Sequence, residues 1–251
     1  MRILRFGDQM NNVAVTDGDK VEAEMRFGYH VDYVPFSTVM TYFEKVEDKA
    51  VDELVEVYFK EYDHAPELED KNTVEYKKVW NSAKAELTLR AVLEAYGAKA
   101  FTSNFDDLGD VNVEETGKGF DQIPGLASQR LMADGYGFGG EGDWKTAAMV
   151  RVMKIMTQGI KDAKGTSFME DYTYNFVPGK EGILQAHMLE VCPTVADGPI
   201  SIKVNPLSMG NREDPARLVF TSKTGAGVAT SLVDMGNRFR MIVNDVDCIE
   251  P

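Results

Sequence analysis

Histidine and cysteine are scarce in this chain of 251 residues: three histidines, His30, His64 and His187, and two cysteines, Cys192 and Cys248. There is no CxxC pair and no dense cysteine framework, so free thiols are expected ahead of a disulfide or a reactive site. Two buried free thiols in a reducing cytoplasm are the simplest expectation. Basic residues are also in deficit. The 27 lysines and arginines face 41 acidic residues, a formal charge of −14, which argues against nucleic acid or an anionic membrane surface as partner. No apolar run approaches the ~20 residues needed to cross a bilayer. The opening MRILRF is charged and then strand-like, without the apolar stretch of a signal peptide. A soluble, cytoplasmic protein that meets a neutral small molecule or a cation fits these absences.

What is present suits a well-packed globular chain, 43% apolar and 10% aromatic, long enough for one large domain or two ordinary ones. Residues 3–6 read as a short buried strand. Asp17 or Asp19 can cap a following helix that carries Val21, Met25 and Phe27 and stops at Gly28. Residues 31–34 are a second strand, and two amphipathic stretches follow, with Val51, Leu54, Val55 and Tyr58 at helical spacing. A long helix comes next, with Val74, Val79, Ala83, Leu87, Ala91 and Val92 on its apolar face and Gly97 at its end. Residues 100–105 form another strand, and DDLGDVNVEETGKGFDQ is a polar loop. This order predicts an α/β domain over residues 1–164 with a doubly wound, mostly parallel sheet. Residues 165–251 change character. Alternating segments around a Pro178-Gly179 turn predict a hairpin, and later short strands predict an incomplete antiparallel β-rich domain.

The stretch GYGFGGEGD, residues 135–143, holds five glycines and fits G-x-G-x-x-G twice. A dinucleotide fingerprint needs a strand before it and an acid on a second strand about twenty residues on. The preceding segment reads as a helix, and the acid at that distance is Asp162 in the polar KDAKG, so both contexts fail. The glycines then serve a plain turn or a loop that carries Glu141, which sits just ahead of a helix that Asp143 can cap. The helix N-terminus favours an ionised carboxylate there. A second acid, Glu170, is flanked by Phe168 and Tyr172 on one strand face; it faces either inward or, as an edge residue, solvent. His187, expected on the partner strand, is either a satisfied core histidine or a ligand. Glu141, Glu170 and His187 together make an O,O,N set suited to a hard divalent ion such as Mn²⁺ or Mg²⁺. His30 and His64 are expected at the surface.

RFGDQMNNVAVTDGDK, PGLASQRLMADGYGFGGEGDWKTAAMVRVMK, GTSFMEDYTYNF and HMLEVCP occur in this order, joined by DPARLVF and SLVDMGNRFRMIVN. Together they resemble the bacterial L-arabinose isomerases over essentially the whole chain. The resemblance implies a cytoplasmic aldose–ketose isomerase that converts L-arabinose to L-ribulose through an ene-diol, with Mn²⁺ (Mg²⁺ or Co²⁺ as substitutes). It implies Glu141 and Glu170 as acid/base pair and metal ligands, and His187 as a further ligand. Met10, Phe105 and Tyr172 fall where the family lines its sugar pocket. A homo-oligomer, trimer or hexamer, is implied as well. Family members are about twice as long. They carry an α/β domain ahead of the segment matching MRILRF and a Gly-Gly-Ala-His-His type motif near the C-terminus, which supplies another ligand. None of the three histidines here matches that motif. The expectation is therefore a partial chain, the central domain and the start of the C-terminal domain. The alternative is a non-catalytic fragment or split subunit whose site other chains complete.

Overall fold

In the computed structural model residues 1–110, 112–163 and 165–250 are described; Val111, Lys164 (the last residue of the expected first domain) and Pro251 lie outside them. The chain runs β1 (Arg2–Phe6), α1 (Lys20–Phe27), β2 (His30–Val34), α2 (Phe36–Phe43), α3 (Asp48–Glu61), α4 (Val74–Tyr96) and β3 (Ala100–Ser103). It continues through α5 (Val113–Thr116), α6 (Gly125–Ala133), β4 (Gly137–Gly139) and α7 (Trp144–Met156). β1 to β4 form one parallel sheet in the order β2-β1-β3-β4.

Strand alternation gives the sheet two buried faces. Ile3 and Ala100 point to one, where they pack with Ala23 of α1 and with Trp144, Ala147 and Ala148 of α7. Leu4, Phe6, Phe101 and Phe138 point to the other, against Val39 of α2, Leu89 and Leu93 of α4 and Leu131 of α6. The doubly wound parallel sheet is thus formed as expected. Its helices carry the anticipated punctuation. Asp19 caps α1 by accepting from the Glu22 amide, and Gly28 ends it in the left-handed region. Gly97 closes α4 as expected, and Thr73, which was not anticipated, caps its start.

Residues 137–139, expected within a loop, are the fourth strand. Gly137–Gly139 pair with Ala100–Thr102, and α7 lies close upon them. A Cβ at Gly137 would stand 2.1 Å from the Ala147 carbonyl oxygen, and one at Gly139 2.5 Å from that of Asp143. Two of the glycines therefore close a helix onto a strand. A short helix, α5, also interrupts the segment expected to be a polar loop.

Beyond residue 165 the strands are antiparallel pairs: β5 (Glu170–Asn175) with β6 (Gly182–Ala186), β7 (Ser201–Val204) with β8 (Ala216–Val219), and β9 (Gly225–Asp234) with β10 (Phe239–Cys248). His187 lies one residue past β6 rather than on it. The β7–β8 pair packs Ile202, Ala216 and Leu218 against α3, α4 and Leu126 of α6. Two buried glutamines fix its position. Gln129 Nε2 donates to the Val191 and Leu218 carbonyls while its Oε1 accepts from the Leu218 amide. Gln122 Oε1 accepts from the Ser82 hydroxyl and the Ala216 amide.

Two expectations about single residues are corrected. Cys192 is buried, but Cys248 is exposed at the end of the two-stranded β9–β10 ribbon, where no further layer covers it among the described residues. His30 is at the surface between Glu24 and Asp32, whereas the His64 side chain is only 12% exposed. Its ring lies 4.4 Å from that of Phe59, and its nitrogens meet the Tyr62 carbonyl and Glu69.

Glu86 joins α3, α4 and α6 from a fully buried position. Tyr58 donates to it at 2.6 Å, Arg90 at 2.7 Å and Arg130 at 3.0 Å, and Arg130 reaches on to Glu61. Burial and then the Glu86 carboxylate push the Tyr58 phenol well above its usual range, so it stays a donor. Removing Glu86 leaves the Tyr58 hydroxyl without its acceptor and takes the buried counter-charge from Arg90 and Arg130, which keep only Asp134 and Glu61 nearer the surface. Glu86→Ala is expected to lower unfolding stability by about 3–5 kcal/mol in urea titration. A stability equal to that of the parent chain would show the network to be dispensable.

Candidate functional site

In open parallel sheets, crevices form outside the carboxyl ends of the strands, where the strand order reverses. Here the chain passes from β1 out to β2 and returns across it to β3, so the reversal falls between β1 and β3. The segments leaving β1, β3 and β4 meet there and are tied by their backbones. The Met10 amide donates to the Glu141 carbonyl at 3.1 Å, and the Gly142 amide to the Ser103 carbonyl at 3.1 Å. The Asn104 side chain donates to the Asp8 carbonyl. Lys145, whose side chain is 1% exposed, donates to the carbonyls of Val15 at 2.7 Å and Asp17 at 2.5 Å, anchoring the β1 loop to the start of α7.

Glu141 stands in this junction with φ of 60°, in the left-handed region that a non-glycine residue seldom occupies. Such backbone strain clusters at working sites. Asp143 caps α7 by accepting from the Lys145 and Thr146 amides, as anticipated. A side chain at Gly142 would collide with Gln9, 2.4 Å from its Cα, so this glycine lets the β1 and β4 loops touch.

A row of rings links the sheet to the second region. Phe6 of β1 stands 5.9 Å from Phe101 of β3, which stands 5.1 Å from Phe138 of β4. Phe138 is 5.7 Å from Phe168, and Phe168 is 4.8 Å from the imidazole of His187. These tilted and edge contacts hold the imidazole, whose side chain is fully buried. Its Nε2 has no hydrogen-bond partner among the described residues and stands 3.8 Å from Glu170 Oε1. A Cβ added at Gly140 would lie 3.8 Å from the same nitrogen. The other nitrogen, Nδ1, is 2.7 Å from Glu190 Oε2.

Electrostatics ties these groups into one cluster. Burial first, and then the Glu170 carboxylate, push the Glu141 carboxyl above the ordinary range. This corrects the expectation that the helix N-terminus favours its charge: lost solvent and a like charge from a distant segment outweigh the local amides. Burial likewise raises Glu170, with Glu190 adding to the effect and His187 opposing it. For His187, burial works against the proton, but Glu190, then Glu170 and Glu141, more than offset it and the net shift is upward.

Glu141, Glu170 and His187, proposed together from the sequence, are thus neighbours here. Met10 and Phe105 are both buried in the main core cluster, Met10 joined to Glu141 through its backbone. Tyr172 is 44% exposed, its phenol raised by burial and then by Glu170. Glu190, 2% exposed, was not anticipated as part of the cluster. The sequence shows only an acid three residues after the histidine within HMLEVCP, which is no signal until burial is known.

Among the described residues no three His, Cys, Asp or Glu side chains close into a finished metal cage. The donor chemistry nevertheless fits a divalent ion. A buried imidazole nitrogen is left without a partner, and two carboxyls nearby are raised by burial and by a neighbouring carboxylate, Glu141 by Glu170 and Glu170 by Glu190, a repulsion that a cation relieves.

Comparison with known proteins adds the following. Residues 2–159 match the L-arabinose isomerase central domain, and residues 165–251 the L-arabinose isomerase C-terminal domain. The chain is 62% identical over 252 residues to L-arabinose isomerase of Bacteroides thetaiotaomicron and 62% identical over 251 residues to that of Phocaeicola vulgatus. It is 50% identical over 251 residues to L-arabinose isomerase of Geobacillus stearothermophilus. Each match covers 100% of this chain and 48% of the relative, so the chain spans about half the length of the curated relatives it matches.

Because Phe168 connects the sheet to the imidazole, its truncation affects both. Phe168→Ala is expected to cost about 3–5 kcal/mol in denaturant unfolding and to broaden the His187 ring signals in NMR. Sharp, unshifted His187 signals in the variant would show that the ring row does not hold the imidazole.

Proposed function

Because the chain belongs to the L-arabinose isomerase family, we propose that it carries the reaction centre of an aldose–ketose isomerase converting L-arabinose to L-ribulose, the first step of arabinose catabolism. The observation that supports this most is the unpartnered Nε2 of buried His187, turned toward Glu170 and electrostatically joined to Glu141. Glu141, Glu170 and His187 would hold the ion, Mn²⁺ in this reading with Mg²⁺ or Co²⁺ as substitutes, and Lewis-acid polarisation of the sugar oxygens is the chemistry that it supplies when bound.

The chain's own residues handle the protons. One glutamate carboxylate takes the proton from C2 of the open-chain aldose. The released C–H pair becomes the C1–C2 double bond, and the carbonyl pair moves to O1, which accepts a proton from the other glutamate. The product of this half is the ene-diol. Its collapse to the ketose sends the O2 proton to a carboxylate and returns a proton to C1, so no redox partner is consumed. Carboxyls raised above their usual range by burial suit both acid and base work. Met10, Phe105 and Tyr172 line the sugar in this reading. Residues 1–164 and 165–251 are its two domains, and the working form is a cytoplasmic homo-oligomer, a trimer or hexamer.

One observation favours a second reading. With no three-donor cage among the described residues, the chain would be a non-catalytic fragment or split subunit that needs other chains to complete the site. Titration with Mn²⁺, followed by electron paramagnetic resonance, together with NMR detection of L-ribulose from L-arabinose, separates the two. Binding weakened by Glu141→Gln, Glu170→Gln and His187→Asn, accompanied by L-ribulose, supports the isomerase reading. The same binding without L-ribulose supports the fragment reading. Binding untouched by all three substitutions overturns both.

A further inference from the structure

His187 Nδ1 receives conflicting instructions. The backbone amides of Leu189 and Glu190 point to it from 3.4 and 3.3 Å, which asks the nitrogen to accept. Glu190 Oε2 stands 2.7 Å away, which asks it to donate. The carboxylate contact is shorter and involves a formal charge, and such contacts are the stronger kind. Oε2 lies off the N–H direction and makes no in-line hydrogen bond. Its attraction for a ring N–H is electrostatic and persists at this distance in a buried setting. Glu190 is itself 2% exposed, and Oε2 has no hydrogen-bond partner among the described residues. A buried carboxylate of this kind is costly unless a proton-bearing group faces it. The imidazole, in direct contact at 2.7 Å, is that group, with the Arg217 guanidinium acting on Glu190 in addition.

We propose that Glu190 is a positioning residue: it keeps the proton of neutral His187 on Nδ1, so that the Nε2 lone pair is the one presented toward Glu170. The proposal rests on the reading of His187 as a metal ligand, and it extends that reading to a buried residue that meets the imidazole on the side away from Nε2. The other ring nitrogen of a ligating histidine is usually fixed in this way, and loss of its partner typically weakens metal affinity about 10–100-fold. Phe168 restrains the ring face at 4.8 Å, which leaves Glu190 to decide the tautomer rather than the ring's place.

The test needs no substitution for its first arm. On the metal-free chain at alkaline pH, long-range ¹H–¹⁵N correlation of the His187 ring is expected to show the Nδ1–H tautomer. An Nε2–H tautomer would overturn the proposal. In the second arm, Glu190→Gln is expected to shift the ring toward the Nε2–H form and to weaken Mn²⁺ binding about 10–100-fold, with Glu190→Asp recovering part of the loss. If His187→Asn abolishes Mn²⁺ binding while Glu190→Gln leaves it unchanged, Glu190 does not position the ligand. If His187→Asn also leaves binding unchanged, the ligand reading itself fails, and the tautomer still judges Glu190's hold on the ring.

Discussion

The row of rings from Phe6 through Phe101, Phe138 and Phe168 to His187 is the contact on which the site depends. Its first three members come from β1, β3 and β4, adjacent strands of one parallel sheet, and alternation sends them to the same face. The register of the sheet therefore fixes where Phe168 can sit, and Phe168 fixes the imidazole. A histidine from the β-rich region is in this way placed by the core of the α/β region. Gln129 and Gln122 reinforce the join by satisfying backbone groups around β8 that would otherwise be buried unpaired.

The second constraint is charge. A chain with a formal charge of −14 gathers Glu141, Glu170 and Glu190 around one imidazole. Burial raises Glu141 and Glu170, and neighbouring carboxylates add to both shifts. In the proposed function that tension is useful, because it readies the carboxyls for a cation and for proton transfer. The Glu141 backbone is separately strained, in a left-handed conformation held by the Met10–Glu141 and Gly142–Ser103 hydrogen bonds.

Much of this was legible in the residues. Asp19 and Asp143 cap where their side chains suggest, Gly28 and Gly97 end their helices, and Pro178-Gly179 lies between β5 and β6. These are local signals, set within one turn of chain. β4 was hidden because Gly-Phe-Gly has little strand preference of its own; pairing with β3 and the close seat of α7 make it a strand. The direction of the Glu141 shift was hidden for the same reason. The helix end is visible nearby in the sequence, whereas the opposing carboxylate arrives from β5. Glu190 was overlooked because an acid three residues after a histidine carries no message until both prove buried. The glycine stretch changes meaning accordingly: Gly137 and Gly139 admit α7, and Gly142 admits the β1 loop beside Glu141.

Crystals of the chain grown with Mn²⁺ and measured on either side of the manganese absorption edge would bear most directly on the proposed centre. The expected result is an anomalous peak bonded to His187 Nε2 and to the carboxylates of Glu141 and Glu170. A peak elsewhere, or His187 Nε2 hydrogen-bonded to a protein group with no ion beside it, would contradict the proposal.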